Sequence, residues 1–145
     1  SRVNGLPGLI GTSGSNSSGG IGGQNGSGGS VSTANYNSGG GAGWLSNGAN
    51  GSHPNFAGGG ETPRNGGLGG VRGRISHSAD GGFGGGAGTN DGGGGGGGYS
   101  GGDGGCWCSG QLTSGGGGGS YNAGTNQLGT SGYNSDDGRV FIDKL

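Results

Sequence analysis

Apolar side chains are scattered singly along this chain among glycine and small polar residues, and few stretches group them into a pattern. Nowhere do they recur with the three-to-four-residue spacing of an amphipathic helix. Three short runs have strand character. Residues 31–37 (VSTANYN) are β-permissive, Val71 to Ser76 alternates well enough for a strand, and the closing RVFIDKL at 139–145 is the clearest strand of all. In that tail Val140 and Ile142 would face one way and Phe141 the other, and a single strand requires a partner. Between these runs lie a Trp44-Leu45 pair, a polar loop around His53, Pro54, Glu61, Thr62 and Pro63 with Phe56 as its anchor, and a turn-rich loop over 120–138.

What fills the rest is glycine, 52 of 145 residues, with hydrophobic types at 23% and charged residues at 9%, too few for a conventional core. The central segment 81–119 includes the uninterrupted runs Gly92 to Gly98 and Gly115 to Gly119. Glycine in a helix interior costs about 1 kcal/mol against alanine and weakens a strand for the same entropic reason. Flexible coil and the extended polyproline II conformation are the remaining options. Spacing favours the second. Gly5, Gly8, Gly11 and Gly14 fall every third residue, Ser17 takes the next slot, and Gly20, Gly23, Gly26 and Gly29 continue in phase. Gly67, Gly70 and Gly73 repeat the pattern, as do Gly82, Gly85 and Gly88. A helix with three residues per turn needs this spacing to turn one edge to a crowded neighbour, and its free amides can then bond between helices. Collagen would add abundant proline, yet only Pro7, Pro54 and Pro63 occur. A Gly/Ser linker is the competing reading. The expected fold is therefore mainly irregular, a single glycine-rich domain over 1–145: a hydrogen-bonded bundle of polyproline II helices with a few short β-strands and no α-helix. Its parts would be a Gly-every-third segment at 1–30, a bundle core at 39–119, the loop at 120–138 and the strand at 139–145. Tyr99, Trp107 and Tyr121 would cap or wedge the bundle's sides as isolated aromatics.

The formal net charge of -1 argues against electrostatic capture of nucleic acid and against a polybasic membrane contact. No apolar run approaches the roughly 18 residues of a membrane span, so direct membrane insertion is not expected, and no signal peptide is visible. A secreted chain beginning Ser1-Arg2 would be a processed one.

Glycine boxes carry a resemblance. At GGFGGGAGTNDGGGGGGGYSGG, continuing to DDGRVFI, the sequence resembles the glycine-rich region of the anaplastic lymphoma kinase and leukocyte tyrosine kinase receptor ectodomains. The shared order is Gly43-Trp44, the box Gly81 to Gly86, the long run ending in Tyr99 and Gly101-Gly102, and an acidic-Gly turn entering a strand over Asp136 to Ile142, spanning roughly residues 39–142. A box like Gly115 to Gln127 also occurs in kinase-free secreted and surface proteins of similar type. The resemblance implies a polyproline II bundle beside a small β-sandwich, an extracellular location, and participation in binding cytokine ligands. No ligand-contact residue of the receptors maps onto a position here, and these 145 residues contain no kinase and no EGF-like cysteine pattern.

Chemistry-bearing residues are few. Cys106-Trp107-Cys108 can form an internal bridge or paired thiols, cross-link to a second chain, or, with least support, serve metal or redox chemistry. Two cysteines cannot make a four-ligand zinc site, and His53 and His77 lack metal spacing. N-x-S sequons stand at Asn16, Asn25 and Asn50, candidate glycan acceptors in a secretory pathway. Asp80, Asp91, Asp103, Asp136 and Asp137 follow no calcium-loop pattern and read as turn residues on a solvated edge. The G-x-G-x-x-G matches lack a strand-turn-helix context, Arg72 and Arg74 lack a basic surround, and no Ser/His/Asp grouping suggests catalysis. The expectation is an extracellular structural or adhesive module, not an enzyme, without cofactor, that self-associates into a homo-oligomer, filament or matrix through the strand at Val140, Phe141 and Ile142 and the C-W-C motif. A receptor-like region binding a protein ligand is the alternative. An ice-binding protein comes third, because springtail antifreeze proteins resemble polyproline II bundles with glycine every third residue.

Overall fold

Where two stretches of chain carry only hydrogen at Cα, their backbones can meet directly, and that is how this molecule is built. A computed structural model describes residues 4–17, 19–52 and 56–131. The expected strand at 139–145 with Val140, Phe141 and Ile142 lies outside these residues, as do His53, Pro54, Asp136 and Asp137. Among the described residues there is no α-helix. A single 3-10 turn, Pro63–Asn65, is closed by Gly66 in the left-handed region at φ 103°. The only sheet among the described residues is a two-stranded antiparallel hairpin, β1 (Trp107–Cys108) and β2 (Gln111–Leu112), with Trp107 opposite Leu112 and Cys108 opposite Gln111. Ser109 and Gly110 turn the hairpin at φ 54° and 75°. Positive φ at both central positions matches the right-handed twist of the flanking strands. Most of the chain is irregular, as the glycine content predicts, and Val71 to Ser76 corrects one expectation. It forms no strand; its backbone bonds instead run from neighbouring glycine-rich segments, as in Gly58 N–H to the Val71 carbonyl at 2.7 Å. Val31, in the β-permissive 31–37 stretch, makes only an isolated parallel bridge to Gly104.

The irregular segments are nevertheless ordered against one another by backbone hydrogen bonds that advance in steps of three residues. The amides of Gly93, Gly96 and Tyr99 donate to the carbonyls of Thr113, Gly116 and Gly119. Those of Ser38, Gly41 and Trp44 donate to Gly105, Gly102 and Tyr99, and those of Thr113, Gly116 and Gly119 to Cys106, Asp103 and Ser100. Two β-strands would repeat their bonding every two residues on a flat ladder. A step of three turns successive amides to different neighbours. Thus Gly95 and Gly98, between the residues just named, donate to Gly39 and Ala42 on another segment.

Interior positions are accordingly glycine backbone. A β-carbon at Gly29 would run into the Gly102 carbonyl, one at Gly101 into the Gly41 carbonyl, and one at Gly60 into the Gly85 carbonyl. Among the described residues the buried apolar side chains are only Ala42, Ala57, Ala87 and Cys106. Small polar side chains occupy the remaining gaps. Ser38 donates its hydroxyl to the Gly92 carbonyl at 2.6 Å and accepts from the Asn90 amide at 2.8 Å, while the Ser100 hydroxyl accepts from the Gly26 amide at 2.8 Å. Each bridges segments distant in sequence. Polar plugs belong in such an interior because it is made of peptide groups, which hydrogen-bond them.

Candidate functional site

The sequence features with chemical potential fall into four places. Cys106 and Cys108 are joined as an intrachain disulfide at the mouth of the β1–β2 hairpin, with a Cα–Cα separation of 5.4 Å, and neither is free. Cys106 is fully buried, and its amide donates to the Thr113 hydroxyl at 2.8 Å. Of the alternatives the C-W-C motif leaves open, the structure shows the two sulfurs paired within the chain. Trp107, between them, is about half exposed.

The sequon asparagines are all exposed. Asn25 sits at φ 51° in a turn closed by the Ser27 amide on the Gln24 carbonyl, with Gly26 following at φ 90°. The Asn16 and Asn50 side-chain carbonyls accept from the Gly22 and Gly59 amides at 2.7 and 2.9 Å.

The aspartates separate. Asp80 accepts from the Arg72 amide at an exposed position, and Asp91 lies 3.2 Å from His77 Nε2. Asp103 corrects the solvated-edge reading. It is 0% exposed, and its carboxylate accepts the Ser17 amide at 2.8 Å, the Ser17 hydroxyl at 2.7 Å and the Gly20 amide at 2.8 Å. This residue ties the N-terminal segment onto the glycine core. Ser17, which interrupts the glycine period, is therefore a ligand of Asp103 as well as a small residue. Among the described residues no group of three or more His, Cys, Asp or Glu could hold a metal ion.

The fourth place is an open aromatic groove. Two of the three-step ladders end at the same point, where the Trp44 amide donates to the Tyr99 carbonyl and the Tyr99 amide to the Gly119 carbonyl, both at 2.8 Å. Side chains that emerge there are brought together by backbone bonding alone. Tyr99 and Tyr121 stack with ring centroids 4.9 Å apart and planes inclined by 25°, within the usual range for offset aromatic pairs. Trp44 and Pro63 complete the walls, Gly84, Gly97, Gly98 and Gly119 contribute the backbone between them, and the cavity measures about 920 Å3. Tyr99 and Tyr121 are thus a pair, not the isolated wedges expected, and Trp107 stands apart on the hairpin. The Gly43-Trp44 and Tyr99 boxes were visible in sequence, but their convergence depends on which segments bond to which.

No family model, curated protein or solved structure matches the chain.

Proposed function

We propose that this chain is an extracellular structural module, a polyproline II glycine bundle that self-associates through the apolar side chains on its surface. One observation carries the reading. The interior is closed by backbone hydrogen bonding and needs almost no side chains, while the large apolar residues stand outside: Phe83 is 88% exposed, Val71 69% and Leu128 100%. An ordinary domain spends such residues on its core, and leaving them outside supplies apolar surface for association. Here the Gly84 amide bonds to the Gly67 carbonyl at 2.9 Å, which sets Leu68 and Phe83 on adjoining segments. The three-step ladders support polyproline II geometry, whose three residues per turn return the same edge at that interval. An intrachain disulfide suits an oxidising compartment, and among the described residues no helix is long and apolar enough to cross a membrane.

The test is the particle itself. Electron microscopy and light scattering of the purified chain should show oligomers or filaments that grow with concentration. A monodisperse monomer at every concentration would remove the self-assembly reading.

A further inference from the structure

We infer that the Trp44–Tyr99–Tyr121 groove is a binding site for an uncharged oligosaccharide. Among the described residues no charged side chain lines it: the walls are Trp44, Pro63, Tyr99, Tyr121 and Ser120, and the rest is glycine backbone. The tyrosine pair and the indole bring aromatic surface to the groove, Trp44 being 52% and Tyr121 62% exposed. Such surface suits the C–H face of a pyranose, and at about 920 Å3 the groove falls in the usual range for small-molecule sites.

The polar atoms decide the class of ligand. Among the described residues, the Trp44 indole N–H, the hydroxyls of Tyr99, Tyr121 and Ser120, and the Gly97 amide make no hydrogen bond, and no backbone amide donates to the carbonyls of Gly84, Gly97 or Gly98. Among the described residues, the lining thus holds both donors and acceptors without a protein partner, all neutral. A sugar hydroxyl is both donor and acceptor and can satisfy each kind. A proline-rich peptide, the other common guest of Trp/Tyr grooves, offers carbonyls but few N–H groups, so it would pair with the indole and phenols and leave the glycine carbonyls without donors. An anionic glycan would find no cation among the lining residues. The balance of neutral donors and acceptors therefore favours an uncharged saccharide. This site does not depend on self-assembly, and it has its own readout.

Trp44 and Trp107 are the two tryptophans, so a Trp107→Phe chain reports from Trp44 alone. Its fluorescence would be titrated with cellohexaose, mannohexaose and chitohexaose, and in parallel with a sulfated heparin fragment and decaproline. The expected result is a saturable change with at least one neutral hexasaccharide at millimolar Kd or tighter. Tyr121→Ala should weaken it by about tenfold or more, and Tyr121→Phe, which keeps the ring, by only a few-fold. Tyr121 is exposed and meets the lattice only by stacking on the Tyr99 ring, with no side-chain hydrogen bond among the described residues, so both variants should keep the parent amide spectrum. Absence of saturation by all three sugars up to about 10 mM would overturn the proposal. So would undiminished affinity in Tyr121→Ala, or saturation by decaproline or the sulfated fragment alone.

Discussion

Asp103 and Ser17 form the interaction on which the N-terminal segment depends. Converting Asp103→Asn keeps the size but replaces one carboxylate oxygen by an amide NH2 group. Three donors converge on the carboxylate, so at least one, Ser17 or Gly20, then faces an N–H. Leaving a buried donor without an acceptor costs about 1–3 kcal/mol, and that loss should appear in urea unfolding. Ser17→Ala removes one donor and leaves the Ser17 and Gly20 amides bonded, so about 1 kcal/mol is expected. Glycines divide on a similar physical basis. Gly101→Ala would drive a methyl into the Gly41 carbonyl and should cost about 1–3 kcal/mol or more, whereas Gly11→Ala meets nothing within 4 Å and should be neutral or stabilising by up to about 1 kcal/mol. Equal effects at the two positions would contradict the close-packed backbone. At this scale the sequence was only partly legible. The period marks Gly11 and Gly29 alike, yet only Gly29 is crowded, and GGDGG gives no sign that Asp103 is buried, because burial there depends on a segment more than 80 residues away.

At the scale of the element, the absence of helix and the scarcity of strand among the described residues were readable from the glycine content, and the backbone bonds of segments 38–44, 93–99 and 113–119 advance in a three-residue step. That step has a spectroscopic consequence. Within the run ending at Tyr99, the amides of Gly93, Gly95, Gly96, Gly98 and Tyr99 donate to carbonyls, while those of Gly94 and Gly97 find none among the described residues. Hydrogen exchange resolved by residue should show fast exchange at Gly94 and Gly97 against slower neighbours, a pattern of two protected in every three. Alternation with period two would mean a β-ladder instead. The hairpin is a separate element with a separate test. Its disulfide closes a loop of only a few residues, so reduction should lower stability by roughly 1–2 kcal/mol. With both sulfurs committed inside one chain, the same reduction should leave any assembled particle intact. Dissolution of particles by reductant would instead place the bonds between chains. Val71 to Ser76 was misread because β-branched residues promise a strand only where a partner ladder exists; here the neighbours are glycine segments that bond every third residue.

For the whole molecule, the separation of backbone interior from apolar exterior lets folding and association be altered independently. In a conventional domain, replacing a large apolar residue removes both packing and surface. Here Phe83 and Leu128 are 88% and 100% exposed, so Phe83→Ser and Leu128→Ser should change unfolding stability by no more than about 0.5 kcal/mol. Each nonetheless removes apolar area that association would bury, at about 25 cal/mol per Å2. The prediction is dissociation without unfolding. Sedimentation velocity of the Phe83→Ser, Leu68→Ser and Leu128→Ser chains should show smaller particles than the parent at equal concentration, with unchanged denaturation midpoints. Parent-sized particles in all three would exclude these side chains as contacts. A matching loss of stability would mean that they contribute to the fold after all, and that the glycine lattice does not hold the chain by itself. The composition makes the outcome informative: with so little charge, the exposed apolar side chains are the main means the molecule has for binding another.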